Sequence, residues 1–153
     1  MVHYLRRTTL ALRPGFNQNT LARNDDGSTS LVSLGFPVCF FGAVYTSAYV
    51  NNNGNITFDA PLSNYTPVAL NSIAREIIAP FFADVDTRLP SPGATQYGIG
   101  NVGSRPAFGV TWNCVGYFDG KTDKLNSFQL ILINRSDTGA NNFDFEFRYE
   151  KIQ

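Results

Sequence analysis

Apolar and polar positions alternate with a period of two over much of the chain, most sharply at its end. Phe143, Phe145, Phe147 and Tyr149 alternate with Asp144, Glu146, Arg148 and Glu150, the pattern of a strand with one buried face. This aromatic stripe is expected to belong to the core. Just before it, Phe128, Leu130 and Leu132 alternate with Gln129, Ile131 and Ile133. Both faces are then apolar, which predicts a strand in the interior of a sheet.

Earlier in the chain, Leu31–Phe36 and Val38–Phe41 read as a strand bent or placed at an edge by Pro37. Residues 43–50 and 55–58 form a predicted hairpin, because Asn51-Asn52-Asn53-Gly54 supplies residues that tolerate positive φ. A second hairpin is predicted from 95–100 and 107–112, and Asp119–Asp123 marks a turn. Residues 14–30 are polar and rich in turn formers, and 59–75 carries no sustained period, so both read as connections, the second with at most one helical turn. Short strands without an amphipathic helix predict an all-β fold, an antiparallel β-sandwich with long loops and little helix.

One stretch breaks the alternation. Ile77–Ala83 is apolar and runs directly into Asp84-Val85-Asp86-Thr87-Arg88. Read as a single strand, it points Asp84 and Asp86 to the same side and Val85 into the core. Two adjacent carboxylates raise each other's pKa unless a cation or hydrogen-bond donors offset the repulsion. The pair is therefore a candidate Ca²⁺ site, with further oxygens from Asn51–Asn53 or Asp59 and a second contact at Asp25-Asp26-Gly27. The structural alternative is that the aspartates cap turns and pair with Arg88 or Arg105.

Composition narrows the function. The 153 residues, enough for one domain with its own core, include 13 Phe and 7 Tyr against one Met, with 12 basic and 12 acidic residues and zero formal net charge. No basic cluster offers a nucleic-acid footprint, and no apolar run is long enough for membrane insertion as a helix. His3 is the sole histidine, so Ser/His, Cys/His and His-metal constellations are not available. Asp84, Asp86, Asp119 and Glu146 are carboxylates that nothing in the pattern pairs across a cleft. Asp-x-Asp also occurs in nucleotide-sugar enzymes, but the α/β nucleotide fold they use is not predicted here. Cys39 and Cys114 leave open one disulfide or two buried free thiols. Asn55, Asn64 and Asn134 head glycosylation triplets, and Tyr45, Tyr49, Tyr97, Trp112 and Tyr117 are candidate sugar-stacking rings whose alternative role is packing.

Five blocks carry a family resemblance: Asn24–Ser28, Leu34-Gly35-Phe36, Tyr49–Phe58, Ile78–Arg88 and Leu125–Leu130. In order and spacing they resemble the NIDO domain, the nidogen- and alpha-tectorin-type extracellular module, with the Asp137–Asn142 turn and the Phe143–Phe147 strand most similar to its bacterial branch. The resemblance implies an arm at 1–14 and a NIDO-like domain at 15–153 that lacks the family's final C-terminal segment. It also implies a location outside the cell or at its surface, although Met1–Pro14 does not read as a signal peptide. The expected function is a non-enzymatic adhesion or structural module that contacts other proteins or assembles with itself by strand addition into a matrix, filament or surface layer. The alternative is a Ca²⁺-dependent carbohydrate- or ligand-binding module using Asp84 and Asp86.

Overall fold

A computed structural model describes residues 11–153; most of the expected arm, with His3, lies outside the described residues. The chain forms β1 (Asn19–Thr20), β2 (Val32–Phe40), β3 (Ala43–Asn51), β4 (Asn55–Thr57), β5 (Ile77–Ile78), β6 (Val85–Asp86), β7 (Ala94–Val102), β8 (Arg105–Tyr117), β9 (Lys121–Asn134) and β10 (Phe143–Lys151). One short 3₁₀ turn, Leu70–Ser72, interrupts the connection after β4, as its lack of periodicity predicts. The larger sheet has the order β1-β7-β8-β9-β10, with β6 also paired to β8, and the smaller has the order β2-β3-β4-β5. Every pairing is antiparallel. The expected all-β sandwich is what forms.

The core lies between the sheets. Leu34, Phe36, Val38, Val50 and Ile56 of the smaller sheet meet Phe108, Val110, Trp112, Phe128, Leu130 and Leu132 of the larger. Trp112 is fully buried and stacks on Phe128 with ring centroids 5.0 Å apart and planes 11° from parallel. The apolar outer face of β9 is covered as well, because Phe16 folds over Ala107, Ile131 and Ile133. Gly109 makes room for that ring, since a Cβ there would sit 2.5 Å from it. Arg13 secures the same segment, its backbone N–H donating to Gln129 Oε1 at 2.9 Å and its guanidinium pairing with Glu146 at 3.1 Å.

Three expectations are corrected. Ile77–Arg88 is not one strand: β5 pairs with β4 in the smaller sheet and β6 with β8 in the larger. The residues between them cross from sheet to sheet. Pro80 has no N–H to give a ladder, and the N–H groups of Phe81 and Ala83 instead donate to the carbonyls of Gly54 and Asn53. Asp84 and Asp86 consequently do not share a strand face. The β10 stripe is not wholly core either: Phe145 is 54% and Tyr149 37% exposed, while Phe143 and Phe147 are half-buried. The larger sheet extends to β10, whereas β5, the last strand of the smaller sheet, is two residues long and covers little of it. Finally, Cys39 and Cys114 are free thiols, Cys39 exposed and Cys114 partly so, which answers the disulfide question and shows that neither is a core residue.

Among the described residues no helix is long and apolar enough to cross a membrane.

Candidate functional site

The crossover between β5 and β6 meets the Asn51–Gly54 turn and the Asn24–Gly27 loop, and the three segments build a polar knot. Asn24 shapes its loop by accepting the Gly27 N–H, three residues on, on Oδ1 at 2.6 Å. Asn52 is fully buried and its amide donates to the carbonyls of Val85, Asp25 and Asn24 at 2.5, 2.7 and 3.2 Å. Its backbone carbonyl accepts Trp112 Nε1–H at 3.0 Å. Asn53 accepts the Val85 N–H on Oδ1 and donates to Asp26 Oδ1 at 2.8 Å. Asn51 is engaged by Asn55, Thr57 and Leu62. The asparagines expected to offer oxygens to a cation are thus occupied in holding the backbone.

The two aspartates of the Asp-x-Asp pair have different roles. Asp86 is fully buried, and it accepts from the Arg88 guanidinium at 2.6 Å and from the backbone N–H groups of Arg88 and Gly120 at 2.9 Å. These bonds, led by the Arg88 side chain, hold its carboxyl below the usual carboxylate range despite burial. Arg88 also reaches Asp25 at 2.9 Å. Asp86 therefore follows the structural alternative of pairing with Arg88, while Arg105 pairs elsewhere, with Asp137. Asp59 is likewise taken, by Arg75 at 2.6 Å.

Asp84 behaves otherwise. With Asp25 and Asp26 it forms a cluster in which one carboxylate oxygen of each lies within 4.8 Å of the others. Asp84 Oδ1 and Asp25 Oδ1 are buried atoms without a hydrogen-bond partner. Burial, followed by repulsion from neighbouring carboxylates, raises the pKa of both residues. A pocket of about 330 Å³ opens beside them, lined by Asp26, Asp84, Tyr65 and Phe118, and both rings are more than half exposed. The sequence pointed to Asp84 and to Asp25-Asp26 separately. No periodic signal marks Tyr65 or Phe118, which sit in a connection and a turn.

The other candidate residues are dispersed. Trp112 is buried and Tyr45 stacks on Phe58 at 4.7 Å, so both are packing rings. Asn55 is buried, whereas Asn64 is exposed and Asn134 partly so. Glu146 lies on the outer side of β10 between Arg13 and Arg148, far in sheet order from Asp86 on β6. A second surface feature is apolar. At the edge where the sandwich is open, Phe40, Phe41, Leu70, Ile77, Ile78, Phe145 and others line a groove of about 500 Å³, and Phe41 is 89% exposed.

Fold and surface together define an all-β sandwich whose distinctive features are an acidic, aromatic-walled pocket and an apolar open edge. Residues 46–153 match the family model described as Nidogen-like domain. The chain belongs to this family, the NIDO domains. It is 32% identical over 139 residues to human alpha-tectorin, covering 77% of this chain and 6% of that protein. It is 31% identical over 132 residues to nidogen of Drosophila melanogaster, covering 71% and 10%, and 30% identical over 169 residues to mouse nidogen-2, covering 85% and 12%. The chain thus spans a small fraction of the length of these relatives. No solved structure matches it.

Proposed function

We propose that the chain is a non-enzymatic extracellular structural module that contacts other proteins through the open edge of its sandwich. The observation that carries this reading is the groove between β5 and β10, where Phe41, Leu70 and Phe145 are exposed together. Contiguous exposed apolar surface of this kind is characteristic of interaction sites, and aromatic anchors dominate binding energy at protein interfaces. Membership in the nidogen-like family supports the extracellular setting.

The test uses beads carrying the purified domain, scored for adhesion to a matrix laid down by cultured cells. Wild-type beads are expected to adhere, and Phe41→Asp/Phe145→Asp beads to adhere at least severalfold less. Equal adhesion by the two, or none by either, overturns the reading. Both substitutions fall on exposed side chains, so the fold should persist, which Trp112 fluorescence checks.

A second reading is favoured by the two unpartnered carboxylate oxygens: Asp84, Asp25 and Asp26 bind Ca²⁺. The affinity expected is that of extracellular Ca²⁺ modules, a Kd of about 0.1–1 mM. Without a cation, ionising Asp25 and Asp84 costs stability as pH rises past the ordinary carboxylate range, because their folded pKa is raised. Bound Ca²⁺ offsets that cost, so the Ca²⁺-induced rise in Tm should grow as pH increases from acid to neutral. Calorimetric titration is expected to show binding that Asp84→Asn weakens about tenfold, in line with the loss of one charged ligand. No heat at about 10 mM Ca²⁺, well above the affinity range of such modules, overturns it.

A further inference from the structure

We infer that two copies of the chain pair edge to edge through β10, antiparallel, in the register that places Phe147 opposite Phe147 of the second copy. This rests on the reading of the domain as a protein-contact module and names its partner. β10 is the last strand of the larger sheet, and among the described residues its backbone pairs only with β9. Such an edge presents free N–H and C=O groups to another strand. The usual protections are confined to its end, at Lys151 and the irregularity before it: Phe143 to Tyr149 contains no proline and no lysine, and its charged side chains alternate with aromatics rather than replacing them.

The register follows from charge. A two-fold axis perpendicular to the sheet keeps the inner faces of both copies on one side, so each residue meets one from the same face and the axis passes through a residue. An axis at Glu146 sets that carboxylate against itself. An axis at Arg148 sets two guanidinium groups together and Glu146 against Glu150. Centred on Phe147, Glu146 faces Arg148 of the second copy twice, extending the Arg13–Glu146–Arg148 ion pairs that each copy already makes, and Phe145 faces Tyr149 twice, bringing together the two partly exposed rings of the inner face, with the Tyr149 hydroxyl still donating to the Pro80 carbonyl. Opposite charges and aromatics directly across an antiparallel pair are the favourable combinations. The remaining like-charge contact, Asp144 with Glu150, is moderated because Arg135 already holds Asp144 at 2.6 Å. The irregularity between Tyr149 and Lys151 marks the end of regular pairing. At the opposite edge of this sheet, β1 is only two residues long, so the contact closes a dimer and does not propagate into a filament.

Sedimentation equilibrium of the full chain over a wide concentration range is expected to show a reversible monomer–dimer equilibrium. In a Cys39→Ser/Cys114→Ser background, Phe145→Cys/Tyr149→Cys should give a covalent dimer on oxidation, while either single cysteine gives severalfold less. The two positions are roughly 13 Å apart within one strand, too far for a disulfide inside a single chain. A monomer at every concentration overturns the inference, as does a dimer whose single-cysteine variants cross-link as well as the pair. So does a full chain that pairs only after residues 1–10 are deleted, since its own N-terminus then occupies the edge. A monomer whose beads still adhere to matrix removes the pairing alone, and a dimer whose beads do not adhere removes the matrix-contact reading alone.

Discussion

Gly54→Ala is expected to leave little folded protein. Gly54 has φ of +77°, and a Cβ there would lie 1.8 Å from the carbonyl oxygen of Phe81 and 2.8 Å from its carbonyl carbon. Neither atom can move alone, because Phe81 belongs to the crossover and its N–H is bonded back to the Gly54 carbonyl. A left-handed conformation by itself costs an L-residue about 1–2 kcal/mol. The backbone collision adds to this, for a total of about 4 kcal/mol or more, a large share of the roughly 5–15 kcal/mol that stabilises a domain. Gly42→Ala separates the two contributions: Gly42 also has positive φ, +85°, but a Cβ there meets nothing within 4 Å. Urea denaturation should show Gly42→Ala destabilised by about 1 kcal/mol and Gly54→Ala mostly unfolded without denaturant. Equal loss in both would mean that the close approach to Phe81 is unimportant.

Asn52→Leu is the other substitution with a large expected effect. Leucine preserves the approximate volume but removes the donor to the carbonyls of Val85, Asp25 and Asn24. The Asn24 carbonyl keeps the Thr87 N–H and hydroxyl, but a buried acceptor left without a partner costs about 1–3 kcal/mol, so the loss at Val85 and Asp25 is expected to be roughly 2–4 kcal/mol, given that these bonds share one NH₂ group and do not add fully. The single tryptophan reports on the same place, since its Nε1–H donates to the backbone carbonyl of residue 52, which the leucine keeps but its side chain no longer anchors. Chemical denaturation followed by tryptophan emission should show a lower midpoint and a red-shifted native spectrum. An unfolding free energy within about 0.5 kcal/mol of wild type, the range of ordinary surface changes, would show that the knot does not bear on stability.

Period-two patterning made the strands legible because it reports which face is buried. The hairpin at Asn51–Gly54, the interior position of β9 and the bend at Pro37 were all readable in this way, and β2 does shift register between Ser33 and Val38. The crossover was not readable, because an apolar segment that passes from one sheet to the other, with Pro80 buried and Phe81, Phe82 and Ala83 partly so, has the same composition as a buried strand. For the same reason the Asp84 and Asp86 carboxylates looked like a pair. Their separation depends on which backbone donors and which arginine each one meets, and those come from Gly120, Arg88 and the Asn24 loop. Phe16 was hidden in a polar stretch, since its partners Ala107, Ile131 and Ile133 lie on strands more than ninety residues away. The exposure of Phe145 was equally invisible: alternation shows which side of a strand is apolar, not how far the opposing sheet reaches.

The order of the strands also sets a sequence of events in time. β7, β8, β9 and β10 are neighbours in both the chain and the sheet, so each can join the one before it through a short loop closure. The Asn24 loop and Phe16 must instead wait for partners far along the chain. Folding should therefore begin in the C-terminal meander and finish when the N-terminal segment docks. In the native state the same asymmetry runs in reverse, and amide exchange should find the first opening at residues 16–27, well before the strands of the meander release.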